Sequence, residues 1–270
     1  MNVQELNKIR LKLRAENNLI HCITNPISIN MCANGILAVG GRPIMAEHPK
    51  EVAQITKNAK ALLLNFGNIT DVRIKSMKIS VKNAKENNIP VVIDLAGVSC
   101  SSLRRKLALE IISKYNPLVI KGNYSEIYSM YDCSYTTQGV DSEKLNSDEI
   151  CKVSQKLSEN YNCTVVATGK TDIITDKQKR VHIYNGTSAL TQVTGTGCLL
   201  GALCSCFLSV ENGMEALVCA CGVLGICGEL SENEEGTGTF SINLMNKLST
   251  LSNEEFEKYL KMEGFTVESI

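Results

Sequence analysis

The chain lacks an excess of either charge: among its 270 residues Lys and Arg together number 28, and so do Asp and Glu. Without a basic surplus it does not collect phosphodiester backbones or anionic membrane surfaces, and it has no acidic tail. Nucleic acid and membrane are therefore not expected as partners. It also lacks an apolar run of the ~20 residues that a membrane-spanning helix requires. The two longest, near 199–210 and 216–227, read as helices of a protein core. The stretch 1–17 lacks the continuous apolar centre of an export signal and mixes acids, bases and apolar residues at helical spacing, so a cytoplasmic chain is expected. Twelve cysteines include no C-x-x-C pair, and three histidines are few to complete zinc sites. Within runs such as Leu203-Cys204-Ser205-Cys206 and Val218-Cys219-Ala220-Cys221 they read as reduced thiols serving as small hydrophobes. The length alone would also allow two smaller domains, but no linker, repeat or low-complexity segment interrupts the chain and 44% hydrophobic content is enough for one sizeable core, so a single domain spanning 1–270 is expected.

What is present is a repeated alternation. The runs 19–24, 61–66, 91–95, 118–120 and 164–167 read as strands, and several are apolar throughout, as strands of a parallel sheet covered on both faces must be. Between them, 52–60, 71–87, 102–115 and 149–160 have the length of crossover helices, which gives an α/β chain of successive βα units. The segments 172–175 and 180–184 read as antiparallel edge strands, and the last third as almost wholly helical. In such sheets ligands lie at the carboxyl ends of the strands, so the residues just after each strand carry the functional interest.

The stretch Val193-Thr194-Gly195-Thr196-Gly197-Cys198 turns without a charge into the apolar run Leu199-Leu200-Gly201-Ala202-Leu203. Here a loop passes directly into a buried helix, and Gly195 and Gly197 permit a tight turn and close approach to a ligand. The first amides of a helix have no intrahelical acceptor, and the helix dipole adds positive potential, so this corner suits a phosphate or charge developing on a transferring phosphoryl group. An ordinary glycine turn before a core helix is the plainer alternative; Cys198 in the first turn, where a helix N-terminus favours a thiolate, speaks for function.

Other strand ends carry polar residues. Ile23-Thr24-Asn25-Pro26 places Asn25 to cap the next helix, on which Asn30 and Asn34 share a face, and Met45 in Pro43-Ile44-Met45-Ala46 reads as a core residue at a strand end. Asp94 closes the apolar strand Val91-Val92-Ile93, where a charge is costly unless paired or bound to a cation. Ile120-Lys121-Gly122-Asn123-Tyr124-Ser125-Glu126 adds a cation and, one turn into the following helix, an acid. Lys121 can neutralise phosphate, and Asp94 with Glu126 can order the hydration shell of Mg²⁺, a cation that takes few protein ligands; a solvated Lys and a dipole-favoured Glu are the alternative. Thr168-Gly169 ends another strand and either meets a ligand or closes a hairpin. A second glycine string, Gly236-Thr237-Gly238-Thr239, lacks a neighbouring thiol or acid and reads as a capping loop.

The string Thr194-Gly195-Thr196-Gly197-Cys198-Leu199-Leu200 resembles the anion-hole motif of hydroxyethylthiazole kinases, a ribokinase-like branch in which Cys stands where most relatives carry Asp. Ile23-Thr24-Asn25, Ala33-Asn34-Gly35 and Pro43 to Ala46 resemble that family's thiazole-pocket segment, Leu64-Asn65-Phe66-Gly67 its L-N-I-G turn, and Gly122-Asn123 with Glu126 its metal-ordering motif; the ordered motifs run from about residue 20 to 210. Two departures stand out: Lys121 where relatives commonly have Arg, and Asp94-Leu95-Ala96-Gly97 for Asp-Pro-Val-Gly.

The resemblance implies a ribokinase-like three-layer α/β/α fold with a mostly parallel central sheet. It implies ATP-dependent phosphorylation of 4-methyl-5-(2-hydroxyethyl)thiazole with Mg²⁺. It assigns Met45 and Gly195 to the thiazole, Lys121 and Thr168 to ATP, Asp94 and Glu126 to the metal, Cys198 to the acceptor hydroxyl as a base, and a homotrimer with sites at subunit contacts. Two other readings stay open: a non-catalytic binder on the same scaffold, and a kinase for another vitamin precursor such as a hydroxymethylpyrimidine.

Overall fold

The computed structural model describes residues 1–137, 145–233 and 235–266. Its first helix, α1 (Val3–Glu16), leads into a nine-stranded sheet with the order β2-β1-β3-β4-β5-β6-β7-β8-β9. Strands β1 (Leu19–Ile23), β2 (Arg42–Ile44), β3 (Ala61–Asn65), β4 (Val91–Asp94), β5 (Val119–Asn123) and β6 (Thr164–Thr168) are mutually parallel. Antiparallel β7 (Asp172–Thr175), β8 (Lys179–Ile183) and β9 (Met262–Thr266) extend one side. The parallel strands are joined through α2 (Ile29–Val39), α3 (Val52–Asn58), α4 (Asp71–Glu86), α5 (Ser102–Tyr115), α6 (Tyr124–Tyr131) and α7 (Ser147–Tyr161). The chain then continues through α8 (Thr196–Leu208), α9 (Met214–Glu229), α10 (Thr237–Thr250) and α11 (Asn253–Tyr259).

Period-two alternation sends the strand side chains to two separate cores. Leu63, Val92, Val119, Val166 and Ile174 face one core with residues of α1, α2, α8, α9 and α10. Their neighbours Leu62, Leu64, Ile93, Ile120 and Val165 face the other, with residues of α3, α4, α5, α6 and α7. Both faces of the sheet are thus covered, which is why its central strands read as apolar runs rather than alternating ones. The same parity puts Asn65, Asp94 and Lys121 on the face that carries α8, each two residues beyond a core residue of that face. Helix stops are equally local: α1, α5 and α7 end at Asn17, Asn116 and Asn162, all left-handed, and the asparagine side chain tolerates that conformation.

The five strands and four crossover helices read from sequence are present within a few residues, as is the antiparallel pair β7–β8. The helical expectation for the last third fails at its end. Residues 262–266 form β9 and pair with β8 from Lys179↔Thr266 to Ile183↔Met262. Five mostly exposed residues containing Gly264 carry no strong strand pattern of their own, and the unpaired edge of β8 determines their conformation. Asn25 also does not cap α2, whose flanking residue is Ser28; its role is described below. Gly236 (φ 109°) flanks α10, but Thr237, Gly238 and Thr239 form the first turn of that helix instead of a capping loop ahead of it.

Candidate active site

Six parallel strands bring their carboxyl ends to one edge of the sheet, and the strand-end residues noted in the sequence stand along it. Met45 follows β2, Asn25 follows β1, Asn65 and Asp94 end β3 and β4, Lys121 lies in β5, and Thr168 ends β6. The register holds Asn65 opposite Asp94, Asp94 opposite Lys121, and Asn123 opposite Thr168. With strands about 4.8 Å apart, the row from β2 to β6 spans roughly 24 Å, enough to seat two small molecules end to end.

Over the middle of this row stands the start of α8, which packs on β3 and β4. Gly195 adopts φ 98°, a left-handed conformation that glycine takes without penalty, and the first intrahelical bond runs from the Leu199 N–H to the Gly195 carbonyl at 2.8 Å. The amides of Thr196, Gly197 and Cys198 therefore have no acceptor inside the helix. Gly197 is exposed and Cys198 half-buried, so the corner opens outward instead of being packed shut. A side chain at 195 would press on Ser28 Cβ (3.2 Å) and Met31 Sδ (3.3 Å), which places α2 against the corner. Met31 was not singled out from sequence, because an apolar residue on a helix carries no mark of its own.

Beneath the corner lies a buried charge cluster. Lys121 Nζ reaches both carboxylate oxygens of Asp94 at 3.3 Å and donates to the Gly197 carbonyl at 2.9 Å. Both side chains are almost fully buried, with residue exposures of 4% for Lys121 and 1% for Asp94. Burial alone would lower the Lys121 pKa, but Asp94 and Glu126 more than offset it and hold the ammonium charged. Burial pushes the Asp94 carboxyl up, against the pull of Lys121 and of an N–H from Asn65 at 2.8 Å.

Glu126 is the third member. It is the reciprocal partner in a capping box with Asn123: the Glu126 N–H donates to Asn123 Oδ1, and Glu126 Oε2 accepts the Asn123 N–H, both at 2.8 Å. Its other oxygen accepts the Gly97 N–H at 2.8 Å, so it also staples the loop after β4 to the start of α6. Burial first, and Asp94 second, raise its pKa to about 7. Two carboxylates facing one ammonium leave a buried negative charge unmatched. A hydrated divalent cation held by few protein oxygens fits that imbalance, whereas no cluster of three or more His, Cys, Asp or Glu exists among the described residues to cage a dehydrated metal.

Thr168 is half-buried at the mouth of the β6–β7 hairpin, with Oγ1 3.4 Å from the Gly122 carbonyl; Asp172 Oδ1 accepts the Gly169 N–H at 3.2 Å and fixes that turn. Met45 is half-buried at the opposite end of the row, against the core on the α8 face. Gly67 closes the Leu64-Asn65-Phe66-Gly67 turn that resembles the family's L-N-I-G. A side chain there would meet Asn65 Oδ1 at 2.8 Å and Asn25 Nδ2 at 3.0 Å, so glycine makes room for a contact between these two buried amides that the sequence did not reveal.

The family model for the hydroxyethylthiazole kinase family matches residues 11–254 of this chain. A relative named hydroxyethylthiazole kinase 2, from Clostridium botulinum (strain Hall), is 45% identical over 264 residues, covering 96% of this chain and all of the relative. The solved structure of a hydroxyethylthiazole kinase protein from Pyrococcus horikoshii OT3 superposes with a TM-score of 0.89 at 28% identity, over 97% of this chain and 99% of that one. A ribokinase-like superfamily protein from Enterococcus faecalis V583 superposes with a TM-score of 0.67 at 11% identity, over 95% of each chain, and shares the fold.

Proposed function

The chain belongs to the hydroxyethylthiazole kinase family, and on that premise we propose that it transfers the γ-phosphoryl group of ATP to the hydroxyl of 4-methyl-5-(2-hydroxyethyl)thiazole, salvaging the thiazole half of thiamine. Residues 1–270 act as one ribokinase-like kinase domain. The observation that carries this reading is the open N-terminus of α8 above the middle of the strand-end row, directly over Asp94 and Lys121.

Phosphoryl transfer asks a protein for positioning and charge stabilisation more than for covalent chemistry. The thiazole lies at the β2–β1 end of the row, lined by Met45, whose polarizable thioether suits a flat sulfur-containing ring, and by Gly195. ATP lies toward β5 and β6, contacted by Lys121 and Thr168. The alcohol oxygen attacks the γ-phosphorus as its proton passes to the Cys198 sulfur, and the bond from that phosphorus to the bridging oxygen breaks to release ADP. The amides of Thr196, Gly197 and Cys198 hold the charge that grows on the transferring group. Asp94 and Glu126 would hold Mg²⁺, which when bound offsets phosphate charge.

Incubating the purified protein with Mg-ATP and the thiazole alcohol tests the reading through ADP formation. No ADP would leave the non-catalytic binder, and turnover with a hydroxymethylpyrimidine in its place would move the acceptor. We further infer a cytoplasmic homotrimer with sites at subunit contacts. The exposed apolar residue Ile27 (73%), just before α2 at the acceptor end of the row, supports such a contact. Light scattering of the eluted protein checks the assembly.

A further inference from the structure

Asn25 and Asn65 form a buried amide pair, at 6% and 0% exposure, between Cys198 and the charge cluster. Two backbone N–H groups fix the direction of both amides. The Ser28 N–H donates to Asn25 Oδ1 at 3.0 Å, so the Asn25 NH₂ must face the other way. The Gly67 N–H donates to Asn65 Oδ1 at 2.8 Å, which turns the Asn65 NH₂ toward Asp94 Oδ2 at 2.8 Å. With these ends set, the two donors of Asn25 go to Asn65 Oδ1 at 3.2 Å and to Cys198 Sγ at 3.1 Å. On the other flank, Lys121 joins Asp94 to the Gly197 carbonyl, one residue before Cys198. The sulfur is therefore tied to the carboxylate from both sides, through side-chain amides on one and through the backbone of its own helix turn on the other.

We propose that Asn25 is a positioning residue for phosphoryl transfer: its N–H holds Cys198 Sγ as a hydrogen-bond acceptor, with the remaining face of the sulfur toward the acceptor hydroxyl. This rests on the reading of Cys198 given above. An N–H donated to sulfur supports negative charge on it and leaves no acceptor on that side for an S–H. A sulfur so oriented can take a proton from an alcohol approaching from the pocket. The pair also accounts for Gly67, since a Cβ there would displace both amides.

Asn25→Asp keeps the oxygen that accepts the Ser28 N–H, and so keeps the turn, but presents an oxygen in place of the NH₂. Asn25→Ala removes the contact altogether. Each variant should lower kcat about tenfold or more, the scale of one hydrogen bond to a charged partner, while the KM for the thiazole alcohol stays within about threefold. In a Cys198→Ala background, Asn25→Ala should cost less than about twofold, because a residue acting through the sulfur has nothing left to act on. Without substrates, peptide-resolved mass spectrometry should find Cys198 alkylated by iodoacetamide about tenfold more slowly in Asn25→Asp, with urea midpoints confirming that each variant is folded.

Losses that multiply in the double variant, a raised KM at unchanged kcat, or unchanged alkylation of Cys198 would each overturn the proposal. Should Cys198→Ala retain full kcat, the base role of Cys198 is what fails. The alkylation rates in Asn25→Asp then still decide whether Asn25 controls the sulfur.

Discussion

The pH dependence of stability offers a direct reading of the unmatched charge at the strand ends. Glu126 is 6% exposed and its carboxyl is raised from an ordinary 4.5 to about 7, by burial and then by Asp94. A carboxyl that is harder to ionise in the folded chain than in the unfolded one stabilises the fold while both states are protonated, and that contribution is lost as pH rises from the unfolded value to the folded one. The sign is thus the reverse of an ordinary salt-bridged carboxylate. The full difference amounts to about 3 kcal/mol, of which roughly 2 to 3 kcal/mol falls between about pH 5 and pH 8.5. Urea unfolding of the wild type and of Glu126→Gln across that range isolates it. Whatever fixed offset the amide introduces, the wild type should lose about 2 to 3 kcal/mol relative to the variant as pH rises. Added Mg²⁺ with ATP should flatten the slope by stabilising the charged form. Parallel curves would show that Glu126 ionises freely within its three backbone and side-chain contacts, and the case for a cation there would lose its electrostatic basis.

Three further perturbations separate the parts of the site. Lys121→Met strands the Asp94 carboxylate at 1% exposure and should destabilise the fold by about 3–5 kcal/mol; measured by urea denaturation, this cost should shrink when Asp94→Leu is added, since a neutral pair has no unmatched charge. Gly67→Ala drives a Cβ to 2.8 Å from Asn65 Oδ1 and should cost about 1–3 kcal/mol in the same measurement, with a fall in kcat from the displaced amides. Gly195→Ala forces a left-handed alanine against Ser28 and Met31; it should lower kcat in the ADP-release assay at least tenfold, because the amides that follow it are re-aimed.

The row of strand ends was legible where its members break a local rule. A carboxylate closing an apolar strand at Asp94, a lysine inside the next at Lys121, and a glycine string running into an apolar helix at Gly195 all contradict what their neighbours favour. Asn25 and Asn65 break no rule: an asparagine after a strand is an ordinary turn residue, and nothing in its neighbours reveals a bond to a thiol 173 positions away. The strand β9 escaped for a related reason, since an exposed run containing glycine becomes a strand only through the partner it finds. Contacts between residues far apart in sequence carry no periodicity, so no pattern along the chain can announce them.

Glu126 shows how a residue's structural explanation and its proposed role depend on each other. As the third residue of a capping box it would be explained by helix geometry alone. Yet a cap needs only one of its oxygens, and the second is spent on the Gly97 N–H, which binds the loop after Asp94 to the helix after Lys121. A free carboxylate buried to this degree would rotate toward water. Two N–H groups from different segments hold this one in place and pull its pKa down, but burial and Asp94 outweigh them and raise it. The capping bonds are therefore what keep a second carboxylate near the first, and negative charge gathered with fixed geometry is what the proposed hydrated cation requires.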